Sequence, residues 1–158
     1  MRELHGTASD VVAAPLEKCV ALLAAIDGYP AWYPGGVREV QVLERNAAGQ
    51  PTIVLTVLHV EVAGFDRDFH LTMTVKVDPR GRVALNKVKA DSSDAPFDVV
   101  WQMSEHEGTL IKLDLNTALP LSRFVPLGRV GNSIAKSFVS AASEALAAED
   151  SYDDLRGV

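Results

Sequence analysis

From Arg67 to Lys76 the chain alternates without a break. Arg67, Phe69, Leu71, Met73 and Val75 share one face, and Asp68, His70, Thr72, Thr74 and Lys76 share the other. A period of two is that of a β-strand with one buried face. Phe97, Val99, Trp101 and Met103 repeat the pattern, as do Ile111, Leu113 and Leu115 against Lys112, Asp114 and Asn116. Arg38–Glu44 alternates as well, Val83–Val88 is a shorter strand, and Thr52–Val62 is β-branched and apolar on both faces. Val11 and Val12 mark a short N-terminal strand that stops at Pro15. Breaks fall at Asn46–Gly49, Ala63–Gly64, Asp78–Gly81, the polar stretch Asp91–Asp94 and Glu105–Gly108, whose residue types favour turns.

Elsewhere the period lengthens to that of a helix. Leu16, Cys19, Val20, Leu23 and Ile26 follow Pro15 at spacings of three and four and are stopped at Asp27-Gly28. The aromatic run Tyr29–Tyr33, which contains Trp32, has room for a turn or two of helix between breakers. Val130 to Ala148 forms a long helix whose stripe is Val130, Ile134, Phe138, Ala141, Ala142 and Ala145. The predicted order is strand, two short helices, six strands, long helix. Short consecutive strands with tight turns pair antiparallel, giving an α+β domain with a curved sheet of about seven strands around the final helix. The inward stripe dwindles to alanines. Either the alanines let helix and sheet approach closely, or they leave an apolar cavity; an empty void is costly, so such a cavity holds water or a ligand.

Composition narrows the function classes. At 158 residues the chain fits one domain, read as 1–150 followed by an acidic tail at 151–158. A net charge of −6 argues against binding a nucleic-acid backbone. Cys19 is the sole cysteine, so no internal disulfide forms, and a reducing cytoplasm is the expected compartment. No apolar run reaches the length of a membrane span, and Met1–Gly6 lacks the basic and apolar regions of a signal peptide.

Two segments carry a family resemblance. Val11–Glu17, then Ile26–Pro34 and Val37–Val40, resemble the opening of the START/birch-allergen-like helix-grip superfamily, in particular its polyketide cyclase/dehydrase and lipid transport branch. Ala95–Met103, leading through Gly108-Thr109 into Ile111–Leu113, is similar to that branch's phenylalanine-to-tryptophan strand and glycine hairpin. The resemblance spans nearly the whole chain and implies the helix-grip fold with a hydrophobic cavity beneath the long helix. It specifies activity poorly, because members include lipid carriers, coenzyme-Q-binding proteins, aromatase/cyclases and stress-related ligand binders.

The candidate lining comes from the faces already assigned: Trp32, Phe69, Leu71, Met73, Trp101, Met103, Ile134 and Phe138. The sequence carries no nucleophile elbow and no phosphate loop. His59 and Glu61 return to one strand face, but two ligands fall short of a zinc site, so no metal or other cofactor is expected. Arg67 and His59, with His70, are the candidates for proton handling; Arg67 either pairs with a ligand anion at a cavity mouth or points to water. The segment Leu119–Arg129 sets Phe124 beside Arg123 and Arg129 in an acidic protein. It is either a gate that meets an anionic membrane or a partner's surface, or a loop packed under the helix end. The leading expectation is a binder or carrier of a lipid, isoprenoid or aromatic polyketide. A polyketide cyclase/aromatase is the alternative, and a protein-interaction module is a third.

Overall fold

The computed structural model describes residues 2–62, 64–88 and 96–156, of which 149–156 are described as backbone. Ala63 and the expected polar loop Asp91–Asp94 lie outside the described residues. In chain order the elements are β1 (Arg2–Val12), α1 (Leu16–Ala24), a 3-10 turn at Ile26–Gly28 and α2 (Tyr29–Trp32). Then follow β2 (Val37–Arg45), β3 (Pro51–Val62), β4 (Phe65–Asp78), β5 (Arg82–Lys87), β6 (Phe97–Glu105), β7 (Thr109–Leu119) and α3 (Leu127–Arg156). The strands form one antiparallel sheet in the order β1-β7-β6-β5-β4-β3-β2. β2 to β7 are a meander, and β1 closes the sheet beside the last strand through the register Gly6–Leu115 and Val12–Thr109.

Strand alternation places the core. Leu71, Met73 and Val75 of β4 face the buried concave side, with Val99, Trp101 and Met103 of β6 and Ile111, Leu113 and Leu115 of β7. At Gly81, in the β4–β5 turn, φ is +134° and an added Cβ would overlap the Met103 carbonyl, so glycine is required there.

Three expectations need correcting. β1 runs for 11 residues, well beyond Val11 and Val12, and pairs with β7 along its whole length. Its signal was faint because Gly6 stands where a large inward residue would have marked the strand. α3 begins earlier than Val130 and its backbone continues to Arg156. The alanines of α3 do not sit over empty space: Ala142 and Leu146 are buried in one cluster with Cys19, Val20 and Leu23 of α1, which fills the volume they leave.

Where α3 sits explains where space remains. A Cβ on Gly6 would overlap the Gly131 carbonyl, and one on Gly131 would overlap the His5 carbonyl. Helix and strand therefore touch backbone to backbone at this point. The Thr7 N–H donates to Asn132 Oδ1 (3.0 Å), and the Ser143 hydroxyl donates to Asp10 (2.9 Å). Held against β1, the helix leaves its Ile134–Phe138 flank facing β3 across a gap.

Candidate functional site

That gap is a cavity of about 280 Å³. Leu58 and Val60 of β3, Phe97 of β6, Leu115 and Leu119 of β7, and Ile134 and Phe138 of α3 supply its apolar wall. One lip is the edge of β3 beyond the last β2 pairing, Val37–Leu58, where the His59 N–H donates to the Gly36 carbonyl (2.8 Å). The facing lip is Ser133 and Ser137 of α3 together with Tyr33. Tyr33 packs edge-on against Phe138 with ring centres 4.6 Å apart. Burial pushes the Tyr33 phenol above its usual range, and a hydrogen bond with the Ser137 side chain offsets part of that shift. Tyr33 is therefore a neutral hydroxyl at neutral pH. The chamber is apolar in depth and polar along one edge, an arrangement suited to a mostly hydrophobic guest with a polar end.

The expected site residues separate into two groups. Ile134 and Phe138 line the cavity. Leu71, Met73, Trp101 and Met103 are buried in the main core and do not contribute to the cavity wall. Among the described residues the Trp32 indole N–H is buried with no hydrogen-bond partner, and the buried Trp101 indole N–H lies against the Tyr29 hydroxyl. Trp32 stacks behind Tyr33 with ring centres 6.3 Å apart, one layer away from the chamber. Phe69 stacks on Phe65 at 6.1 Å and carries the exposed Arg67 guanidinium 5.7 Å above its ring, so Arg67 takes the water-facing of its two expected positions. His59 lies at the rim with Nδ1 2.7 Å from Asp68 Oδ1, and exposed His70 sits on the convex face among Thr72 and Thr74.

Several contributors escaped the sequence reading. Leu58, Val60, Phe97 and Leu119 sit on strands whose inward faces were legible, but which end of the sheet α3 leaves open depends on the Gly6–Gly131 contact. That pair of lone glycines was the available signal.

The segment from Leu119 to Arg129 packs under the helix end along part of its length and leaves the rest exposed. Leu121, Val125 and Leu127 pack onto a small cluster with Leu4, Val60, Leu119 and Val130 at the end of the cavity. Arg2 ties the loop down by donating to the carbonyls of Ser122 and Val125. Phe124 is left 83% exposed, with the Arg123 guanidinium 5.1 Å from its ring centre and exposed Arg129 nearby in sequence. Among the described residues no helix is long and apolar enough to cross a membrane.

A scan against protein-family models and a search of curated proteins give no match. Solved structures do. A START superfamily protein from Mycobacterium smegmatis superposes with a TM-score of 0.66 at 17% identity, over 92% of this chain and 97% of that one. A major latex-like protein from Panax ginseng gives 0.65 at 10% identity, covering 93% and 97%. The Zhui aromatase/cyclase from a Streptomyces species gives 0.54 at 21% identity, covering 94% and 89%. The chain has the helix-grip fold of START-like and birch-allergen-like proteins. At these identities the likeness fixes architecture, and function has to come from the site.

Proposed function

We propose that this protein binds and carries a hydrophobic small molecule in the cavity between α3 and β3. The observation that carries the reading is a partly open cavity of about 280 Å³ between α3 and β3 whose inner wall is apolar. The cavity opens to solvent along its polar edge, and a hydrophobic guest that displaces water from the apolar wall gains about 25 cal/mol per Å² buried. The volume lies just below the roughly 300–1,000 Å³ that small-molecule sites span, which favours one ring system or one isoprenoid or acyl chain over a two-chain lipid. Ile134 and Phe138 touch the guest in this reading, with Leu58, Val60 and Phe97 of the sheet on the wall around it. The buried thiol of Cys19, the sole cysteine, supports a cytoplasmic carrier. The loop bearing Arg123, Phe124 and Arg129 then delivers or collects the guest by resting on an anionic membrane surface.

A second reading starts from the Asp68–His59 contact on the β3 edge that borders the cavity, with both side chains on the sheet face opposite Leu58 and Val60. A carboxylate that orients an imidazole is the arrangement of a general base, as a polyketide cyclase requires, and a structural neighbour is described as an aromatase/cyclase. One set of measurements separates the two. Native mass spectrometry of freshly purified protein is expected to show a bound mass that leaves on denaturation, with no turnover of a poly-β-ketone analogue. Turnover abolished by His59→Ala establishes the cyclase instead; protein that carries no guest and takes up no single-chain lipid or aromatic probe refutes the carrier.

A further inference from the structure

The convex face of the β3–β4 hairpin collects four side chains that the sequence keeps as two separate pairs. His59 and Glu61 are two apart on β3, and Asp66 and Asp68 are two apart on β4. The antiparallel register sets His59 opposite Asp68 and Glu61 opposite Asp66, so all four rise from one face. Asp68 Oδ1 lies 2.7 Å from His59 Nδ1. Asp66 Oδ1 and Glu61 Oε2 lie 3.3 Å and 3.7 Å from Nε2. One donor atom each from His59, Glu61 and Asp66 falls within 4.8 Å of the others, close enough to surround a single ion.

Three carboxylates alone would be an ordinary solvated patch. The imidazole makes this one different. Its side chain is 12% exposed, against 74% for Glu61 and 65% for Asp66, so a largely buried nitrogen ligand stands behind two accessible oxygen ligands. An ionised carboxylate can only accept, so the short contact with Asp68 places a hydrogen on Nδ1. Nε2 then faces the Asp66 and Glu61 carboxylates, which reach it from the same side of the hairpin. A divalent ion matches the charges of Glu61 and Asp66 and leaves Asp68 to hold the ring, the carboxylate–histidine–metal relay seen around bound metals.

We propose that His59 Nε2, Glu61 and Asp66 form a site for a divalent metal ion, with Asp68 as the positioning residue. One imidazole and two carboxylates suit a borderline ion, Zn²⁺ above Mg²⁺ or Ca²⁺, which prefer all-oxygen sites. The β3 edge that carries His59 and Glu61 also borders the cavity, with their side chains on the opposite face of the strand from Leu58 and Val60. The site does not depend on the carrier reading. It does occupy the nitrogen that a cyclase would need free.

Calorimetric titration of the untagged, full-length protein with ZnCl₂ tests the site, alongside ¹⁵N NMR of the imidazoles. One equivalent is expected to bind, with the His59 Nε2 resonance moving on addition. The double variant Glu61→Gln/Asp66→Asn changes two exposed side chains and keeps the fold; it is expected to bind at least tenfold more weakly. Asp68→Asn, which leaves all three ligands in place, is expected to lose about 10–100-fold. A parent protein without saturable one-equivalent binding, or a double variant that binds as tightly as the parent, overturns the site.

Discussion

Tyr29 shows how much one residue can reveal. Its ring is fully buried beside Trp32, with centres 4.6 Å apart, and its hydroxyl donates to the Leu23 carbonyl at 2.6 Å, locking α2 onto the end of α1. Burial pushes this phenol far above its usual range, an effect that the Trp101 side chain partly opposes. An unfolded tyrosine ionises near about pH 10. Below that pH both states keep the proton and the stabilisation is complete. Above it the unfolded chain releases a proton that the folded protein retains, so stability falls as pH rises. Tyr33, raised for the same reason, adds a share of this slope. Urea denaturation of Tyr29→Phe should show a loss of about 1–3 kcal/mol at neutral pH, since the Leu23 carbonyl loses its partner. The same variant should decline less steeply than the parent above about pH 10; parallel curves would mean that the phenol is not held neutral.

At the scale of elements, the loop before α3 is the clearest case of divided duty. Leu121 and Val125 go inward and Arg2 clamps the backbone, whereas Phe124 is turned out to 83% exposure beneath a guanidinium. An aromatic side chain flanked by cations on a protein of net charge −6 is suited to an anionic bilayer, where the ring enters the interface and each arginine contributes about 1 kcal/mol. Phe124→Ser should leave the melting temperature unchanged, because the side chain packs against little. It should remove most sedimentation with phosphatidylserine vesicles at low salt; undiminished sedimentation would exclude the loop as the contact.

The same scale shows what was legible in the sequence. Most strands of the meander could be read because they keep one wet and one dry face, β3 by its β-branched run, and their turns carry Asn46-Gly49, Asp78-Gly81 and Gly108. β1 was read short because its inward Gly6 gives no apolar signal. The Phe69–Met73 and Trp101–Met103 stripes were correctly inward, yet an inward position alone does not distinguish core from cavity wall. The quartet around His59 was half visible: alternation returned Glu61 to its face, but Asp66 and Asp68 joined it only through the register of two strands, and one strand's pattern carries no information about its partner's register.

For the molecule as a whole, the question is why a domain this size keeps a hollow. The Gly6–Gly131 contact presses α3 onto β1 at one side of the sheet, and α1 fills the space beneath Ala142 and Leu146. Closing the gap over β3 as well would need larger side chains at Ile134 or on the rim, where the chain has Ser133 and Ser137 instead. Space maintained in this way trades stability for binding. Ile134→Trp puts a ring system into the chamber from a position already half buried, and the cavity has room for it without forcing the backbone. The ligand-free variant should melt at or above the parent's temperature. A guest at a hundred times its Kd stabilises the parent by about 2.7 kcal/mol. For a domain of this length that raises the melting temperature by about 5–11 °C. Ile134→Trp should lose that increment entirely, because ring and guest compete for one volume. Scanning calorimetry with and without a single-chain lipid or aromatic probe reads both effects, and a variant that keeps the full ligand-dependent shift would place the binding site somewhere other than beneath α3.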